Sequence, residues 1–149
     1  MTKAEYYLDI ALAVAKKSTC LKKQYGAIII KDDEIIATGF NGPPRSEPHC
    51  ITCTKKQGTG DVDEYCSCPA VHAEQNAIIS ASRLEMLNAT IYLAGYDIKT
   101  GQEYKEALPC EICLRLIKNV GIRYVVNRTG VVYYRNEEGI LIRKDIVND

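Results

Sequence analysis

The chain has 149 residues, 46% of them hydrophobic, so it is long enough to bury the core of one globular domain. Its 19 basic and 19 acidic residues give a formal net charge of zero, which argues against a nucleic acid partner but leaves room for a local phosphate pocket. The polar residues 1–5 and the lack of a long apolar run predict a cytoplasmic protein without a signal peptide or membrane span. We expect residues 1–149 to form a single domain.

Taken in chain order, the predicted elements are an amphipathic helix, a β-hairpin with a polar turn, a long loop, a helix rich in Ala and Ile, and a short strand. A second polar loop, a short helix, two further strand-like runs and a last segment follow. Their limits are 4–16, 27–30 with 35–40, 41–65, 72–83, 90–94, 95–108, 110–119, 123–126, 131–134 and 140–146. This order predicts an α/β fold of three layers, α-β-α, in which helices cover both faces of a five-stranded mixed sheet.

Seven cysteines are many for a cytoplasmic chain, and an odd number argues against a closed disulfide framework. In a reducing compartment, closely spaced cysteines are typical of metal ligands. Ordinary buried cysteine is the alternative, and it is as good an interpretation for the isolated Cys20. The close pairs are Cys50 with Cys53, Cys66 with Cys68, and Cys110 with Cys113.

Two short motifs carry the chemistry: H-x-E at residues 72–74 and P-C-x-x-C at residues 109–113. In this order, each at the start of a predicted helix, they form the signature of zinc nucleobase deaminases. We predict His72, Cys110 and Cys113 as ligands of a catalytic zinc, because one imidazole and two thiolates leave the fourth tetrahedral position open for water. The metal lowers the pKa of that water to about 7.

Glu74 is the predicted proton shuttle. It lies two residues after His72 at the same helix start, where a carboxylate can take a proton from the water and deliver it to the ring nitrogen beside the attacked carbon. It then passes a proton to the leaving amine. An isolated glutamate near a helix start usually caps the helix or lies on its surface, but the zinc motif favours the shuttle.

The remaining cysteines predict a second, structural zinc. Cysteine pairs bracket the long loop, and a metal with four protein ligands would order that loop and tie it to the catalytic helix. The candidates exceed four positions, so the ligand set stays open, and reduced thiols are the alternative. The candidates are Cys20, His49, Cys50, Cys53, Cys66 and Cys68.

Five segments, residues 18–27, 38–45, 72–78, 109–113 and 119–122, together resemble the deoxycytidylate (dCMP) deaminase family. The resemblance covers roughly residues 1–127. It implies a cytidine-deaminase-like fold and zinc-dependent hydrolysis of dCMP to dUMP and ammonia. It also implies a homo-oligomer, often a hexamer in this family, and in some members a response to deoxynucleoside triphosphates.

The resemblance also implies roles for single residues. Residues 38–45, the substrate loop, imply that Asn41 contacts the sugar and that a 5′-phosphate is held nearby. Arg45, Lys22 and Lys23 are the nearest cations in sequence, and Arg45 offers a bidentate contact. Ala73 is a further implied substrate contact.

Two further expectations follow from the same resemblance. Cys20, Cys50 and Cys68 match positions where some members carry cysteines near a second zinc, and with Cys53 they make our preferred set. Arg83 matches a family arginine position at a subunit contact or near phosphate.

Three features depart from the family pattern. Tyr25 stands where the family usually has a small aliphatic residue, and the loop 95–108 is longer than usual. Many members also run through a helix after the position of Val126, which makes the last strand parallel. Here only residues 127–130 separate two strand-like runs, and so short a turn predicts antiparallel pairing, as in deaminases of free cytidine.

Other functions therefore stay open. A deaminase of free cytidine, of a modified base or of adenosine in tRNA would keep the zinc motifs, although a tRNA enzyme should show a basic surface. A binding domain that is stabilised by zinc but has lost catalysis would be expected to lack Glu74 or a zinc ligand. This chain has them all.

Overall fold

The computed structural model describes residues 1–53 and 68–144. Its helices are α1 (Lys3–Ala15), α2 (Ala73–Ile79), α3 (Arg83–Met86) and α4 (Glu111–Asn119). Its strands are β1 (Lys23–Lys31), β2 (Glu34–Phe40), β3 (Thr90–Asp97), β4 (Gln102–Tyr104), β5 (Tyr124–Asn127), β6 (Gly130–Arg135) and β7 (Leu141–Arg143).

The described strands form one mixed sheet in the order β2-β1-β3-β5-β6-β7, with β4 paired to the end of β3. β3 and β5 run parallel, and the other neighbouring strands are antiparallel. The sheet has seven strands rather than the predicted five, because two three-residue strands, β4 and β7, also pair. The loop predicted over 95–108 is therefore wrong in part: β3 continues to Asp97 and turns back as β4.

The hairpin and the tail follow their predictions. Asp32 and Asp33 both adopt positive φ angles, as a two-residue turn that matches the twist of the flanking strands requires. β5 and β6 pair antiparallel, with Asn127 opposite Gly130, which is the pairing that the short turn predicts.

Helices cover both faces of the sheet, which confirms the three-layer α/β fold. Along β1, Ala27 and Ile29 point to one face and Ile28 and Ile30 to the other, as strand geometry requires. The first face, called the site face here, packs against α2 and α4. The opposite face, called the α1 face, packs against Tyr7 and other apolar residues of α1.

The helix predicted over 72–83 is two helices. α2 ends at Ile79, and Ser82 then starts α3 by accepting a hydrogen bond from the backbone N–H of Glu85 while the Glu85 carboxylate accepts from the N–H of Ser82. This reciprocal cap has a sequence pattern, S-x-x-E, that favours a new helix start at Ser82. None of the helices in residues 1–53 and 68–144 is long and apolar enough to span a membrane.

α2 lies directly on β2 at Gly39. A Cβ atom at Gly39 would lie 2.4 Å from the backbone oxygen of Ala73 and 2.4 Å from the backbone nitrogen of Ala77, so only glycine lets helix and strand approach this closely. The contact fixes the first turn of α2, which carries the H-x-E motif.

Candidate zinc centre

The two motifs meet because each begins a helix on the site face. His72 is the N-cap residue of α2 and Cys110 is the N-cap residue of α4, both with extended backbone. The backbone N–H of His72 donates to the side chain of Gln75 at 2.8 Å, which closes the first turn of α2. The positive ends of the two helix dipoles point at this region and favour thiolate.

The three predicted zinc ligands converge. The Nδ1 atom of His72 lies 3.4 Å from the Sγ atom of Cys110 and 3.2 Å from that of Cys113, and the three atoms lie within 4.8 Å of one another. Zinc bonds of about 2.0 Å to nitrogen and 2.3 Å to sulfur, at the tetrahedral angle, would separate such atoms by about 3.6 Å. The ligand set therefore fits a tetrahedral zinc with one position left for a non-protein ligand.

The two thiols share a proton. A hydrogen bond with Cys113 lowers the pKa of Cys110 to about 3, against the smaller opposing effect of burial. The same hydrogen bond raises the pKa of Cys113, with burial adding to the effect. A cation between the two sulfur atoms takes the place of that proton, because thiolate is the form that ligates metal.

Glu74 points inward from the first turn of α2 and is only 5% exposed. Burial raises the pKa of its carboxyl group, while hydrogen bonds from its own backbone N–H and from the Cys113 thiol, and the charge of His72, oppose that rise. A surface or capping glutamate would be solvated, so its burial matches the shuttle interpretation better.

Asn41 is buried at the end of β2, and its side chain is used within the fold. Its Oδ1 atom accepts from the backbone N–H of Tyr25 at 2.8 Å, and its Nδ2 atom donates to the backbone oxygen of Lys23 at 3.0 Å. The same Nδ2 atom lies 3.2 Å from the Sγ atom of Cys20. Asn41 thus fastens the substrate loop to β1, and the sugar contact expected of it stays a prediction.

The other predicted substrate residues lie at different depths. Ala73 is fully buried between His72 and Glu74, at the first position of α2. Arg45 lies on the exposed part of the substrate loop. Lys23 is half-buried, with its ammonium group 3.9 Å from the centre of the Tyr104 ring.

The structure brings part of the second cysteine group into one region. Burial is the main cause of the raised pKa of Cys20, and the nearby thiols of Cys68, Cys50 and Cys53 raise it further. Within the described residues, however, only His72, Cys110 and Cys113 bring three ligand atoms within 4.8 Å.

The other two candidates for this group are His49 and Cys66. The Nδ1 atom of His49 lies 2.9 Å from the hydroxyl of Thr19, so this nitrogen is hydrogen-bonded within the fold. Cys66 lies outside the described residues.

One contact on the site face involves residues that belong to neither sequence motif. Tyr25 and Tyr104 both pack against the core under α2, and a Cβ atom at Gly95 would touch both of them. Since Tyr104 belongs to β4, which the sequence predicts as loop, only the register of the sheet reveals this neighbourhood.

Comparison with known proteins agrees with this geometry. Residues 1–129 match the family model for the cytidine and deoxycytidylate deaminase zinc-binding region. A deoxycytidylate deaminase from Mycobacterium phage D29 is 36% identical over 128 residues, which cover 82% of this chain and 91% of that protein. One from Schizosaccharomyces pombe is 32% identical over 84% of this chain, which spans only 36% of its length.

A solved structure shares the fold. The dCMP deaminase of the cyanophage S-TIM5, in complex with dCMP and dUMP, superposes with a TM-score of 0.58 at 24% sequence identity, over 85% of this chain and 82% of that chain. The matched region includes both zinc motifs, and the residues of those motifs lie together in this structure. The chain therefore belongs to the cytidine and deoxycytidylate deaminase family.

Proposed function

We propose that the protein hydrolyses dCMP to dUMP and ammonia, with Glu74 as the catalytic residue. The observation that carries this proposal is a buried carboxylate in contact with the Cys113 thiol, beside a His–Cys–Cys ligand set. The relatives from phage D29 and Schizosaccharomyces pombe, both deoxycytidylate deaminases, support dCMP as the substrate.

Glu74 moves protons in both halves of the reaction. When bound by His72, Cys110 and Cys113, zinc supplies a Lewis acid that makes water nucleophilic near neutral pH. Glu74 takes the proton that the attacking water loses and delivers it to N3 of the cytosine ring as the C4–O bond forms. It then takes the second proton of the water from the new C4 hydroxyl and gives it to the amine as the C4–N bond breaks, which leaves the keto group of uracil and ammonia.

The environment of Glu74 suits both steps. Burial favours its neutral form, while the hydrogen bonds that it accepts favour its charged form. A carboxyl group balanced in this way exchanges a proton more readily near neutral pH than a solvated one, whose pKa is about 4.

We further propose that Asn41, Ala73 and Arg45 contact the nucleotide. Ala73 lies between His72 and Glu74 in α2, Asn41 directly follows β2, and Arg45 is a cation on the loop after it. A guanidinium on a phosphate adds on the order of 2 kcal/mol to transition-state binding, or about thirtyfold in kcat/KM.

Ammonia release from dCMP, deoxycytidine, CMP, cytidine and dCTP tests the proposal. We expect kcat/KM for dCMP to exceed that for deoxycytidine by about thirtyfold or more. Arg45→Gln should reduce this ratio by lowering the value for dCMP only. Equal values for nucleotide and nucleoside in the wild type would reject dCMP as the preferred substrate.

A deaminase of free cytidine or deoxycytidine is the second candidate. The antiparallel pairing of β5 with β6 favours it, since that arrangement is more like the free-cytidine enzymes. The substrate panel separates the two, because a preference for the nucleoside selects this candidate. A deaminase of a modified base or of tRNA adenosine is a remaining alternative. A non-catalytic zinc domain would release no ammonia from any substrate of the panel.

We also propose a structural zinc bound by Cys20, Cys50, Cys53 and Cys68. The electrostatic effect of the other three thiols on Cys20 supports it, since it requires them to be neighbours. Protein purified without chelator should contain two zinc ions per chain, and Cys50→Ser should contain one while keeping the catalytic metal. One zinc per chain in the wild type would reject the second site.

The remaining expectations concern the whole protein. We propose that residues 1–149 act as one domain, that copies assemble into a homo-oligomer and that the protein works in the cytoplasm. A deoxynucleoside triphosphate effector stays a prediction, which dCTP and dTTP added to the dCMP assay would test.

A further inference from the structure

Two tyrosines from different strands meet on the site face of the sheet. Tyr25 of β1 lies opposite Gly95 of β3, and Tyr104 of β4 lies opposite the same Gly95 from the other side. A Cβ atom at Gly95 would lie 3.1 Å from the Tyr25 ring and 3.3 Å from the Cβ atom of Tyr104. The missing side chain at Gly95 thus leaves the room in which the two side chains come together.

This pair lies on the site face, on the side of the contact between β2 and α2: Ala27, two residues after Tyr25, lies opposite Gly39, which touches the backbone of Ala73. Tyr25 and Tyr104 pack against the core cluster that includes Ala73, the neighbour of Glu74 in α2. The charge of Glu74 also acts on the Tyr25 hydroxyl, whose pKa burial raises first and the charges of Tyr104 and Glu74 raise further. Both side chains are only half-buried, so part of each stays available to a ligand.

Lys23 adds a cation to the pair. It precedes Tyr25 by two residues in β1, so its side chain leaves the same face of the sheet. Its Nζ atom lies 3.9 Å from the centre of the Tyr104 ring, a distance at which the ammonium is attracted to the face of the aromatic ring. On this face of β1, Tyr25 follows the buried Ala27, and the positively charged Lys23 lies beyond Tyr25.

The fold holds the pair in place from both sides. The side-chain oxygen of Asn41 accepts from the backbone N–H of Tyr25, and the backbone oxygen of Tyr25 accepts from the N–H of Asn41. β4 is anchored on the α1 face by Glu103, which accepts two hydrogen bonds from the Arg128 guanidinium at 2.9 and 3.0 Å. A rigid surface binds a ligand at a lower entropic cost.

We propose that Tyr25, Tyr104 and Lys23 form a nucleotide-binding wall, with the two rings packing against the pyrimidine nucleoside and Lys23 facing its 5′-phosphate. This inference rests on the proposed function, because the ligand of the wall is the substrate of that reaction. Aromatic side chains pack against bases, and cations form strong charge-assisted hydrogen bonds to phosphate.

The sheet supplies a matched control. Tyr96, the residue after Gly95, is also half-buried and lies under a lysine, with Lys16 Nζ 5.2 Å from its ring centre. Its side chain, however, points to the α1 face, away from Glu74. Tyr96→Leu removes a ring from β3 without removing one from the wall.

Calorimetric titration of the zinc-loaded enzyme with dUMP, which needs no turnover, tests the wall. We expect Tyr104→Leu and Tyr25→Val to bind dUMP about tenfold more weakly than the wild type, and Tyr96→Leu to bind it equally well. Tyr104→Phe, which keeps the ring, should recover most of the affinity that Tyr104→Leu loses. With dCMP as substrate, the loss should appear as a raised KM rather than a lowered kcat.

Lys23→Met gives the second arm of the experiment. It should weaken binding of dUMP but not of deoxyuridine, because only dUMP carries the phosphate. Wild-type affinity for dUMP in Tyr104→Leu, or an equal loss in Tyr96→Leu, would overturn the wall. If dCMP is not the substrate, the result is different: the wild type binds deoxyuridine at least as tightly as dUMP. The effect of the tyrosine substitutions is then measured by their affinity for deoxyuridine.

Discussion

Glu74 combines two properties that seldom occur together, since it is ionisable and only 5% exposed. The surrounding groups explain how the fold tolerates it: its own backbone N–H and the Cys113 thiol donate to the carboxylate, and His72 lies nearby. A buried ionisable residue with a shifted pKa is a candidate for a chemical role. The zinc ligands have a clear role without Glu74, so the two roles can be separated by substitution.

We predict that Glu74→Gln lowers the rate of ammonia release from dCMP by about 10²–10⁴-fold or more, because the amide cannot carry the proton. Zinc content should stay at the wild-type level, because the three ligand residues are intact. Cys110→Ala is the matched control, since it should lose both activity and the catalytic zinc. Turnover near the wild-type rate in Glu74→Gln would contradict the shuttle assignment.

The sequence alone predicts that the candidate zinc ligands lie together, because their spacing follows from helix geometry. Cys110 and Cys113 are three apart across the first turn of α4, so the motif itself places both on one side of the helix. The wall of Tyr25 and Tyr104 could not be predicted in the same way. It depends on the pairing of β3 with a three-residue polar strand, which has too few residues to show a periodic pattern.

At the level of elements, the contact between α2 and β2 decides where the site forms. Gly39 accepts the helix backbone at a distance that no other residue permits, and the amide of Asn76 in α2 donates to the backbone oxygen of Phe40 at 2.8 Å. Helix and strand are therefore fixed to each other one turn away from His72. The sequence predicts both elements but not this contact, because an isolated glycine in a strand has several possible explanations.

We predict that Gly39→Ala destabilises the protein by about 1–3 kcal/mol, because its methyl group forces the first turns of α2 away from β2. The melting temperature should fall by several degrees, and the catalytic zinc should be retained less well because His72 moves with the helix. Gly42→Ala is the matched control: a Cβ atom there meets only the Thr19 hydroxyl, at 3.9 Å. Equal melting temperatures of the two variants would show that the close contact has no energetic role.

At the scale of the whole molecule, a group of neighbouring apolar side chains is exposed to solvent. Ile79, Leu84 and Leu87, which lie at the end of α2 and around α3, are 76%, 85% and 51% exposed. Arg83 in the same segment is exposed, and its guanidinium donates one hydrogen bond to the backbone oxygen of Asn119 at 2.9 Å. Apolar side chains this exposed and this close in sequence are typical of a contact surface.

We predict that the protein is a homo-oligomer at micromolar concentration and that this apolar segment contributes to its interface. Leu84→Glu should shift the mass measured by light scattering toward a smaller assembly, because it buries a charge against an apolar partner. Ile140→Glu is the matched control, since Ile140 is also exposed, at 52%, but lies beyond β6 at the other edge of the sheet. It should leave the mass unchanged. A monomeric wild type would refute the assembly, and an equal effect of the two substitutions would move the interface away from α3.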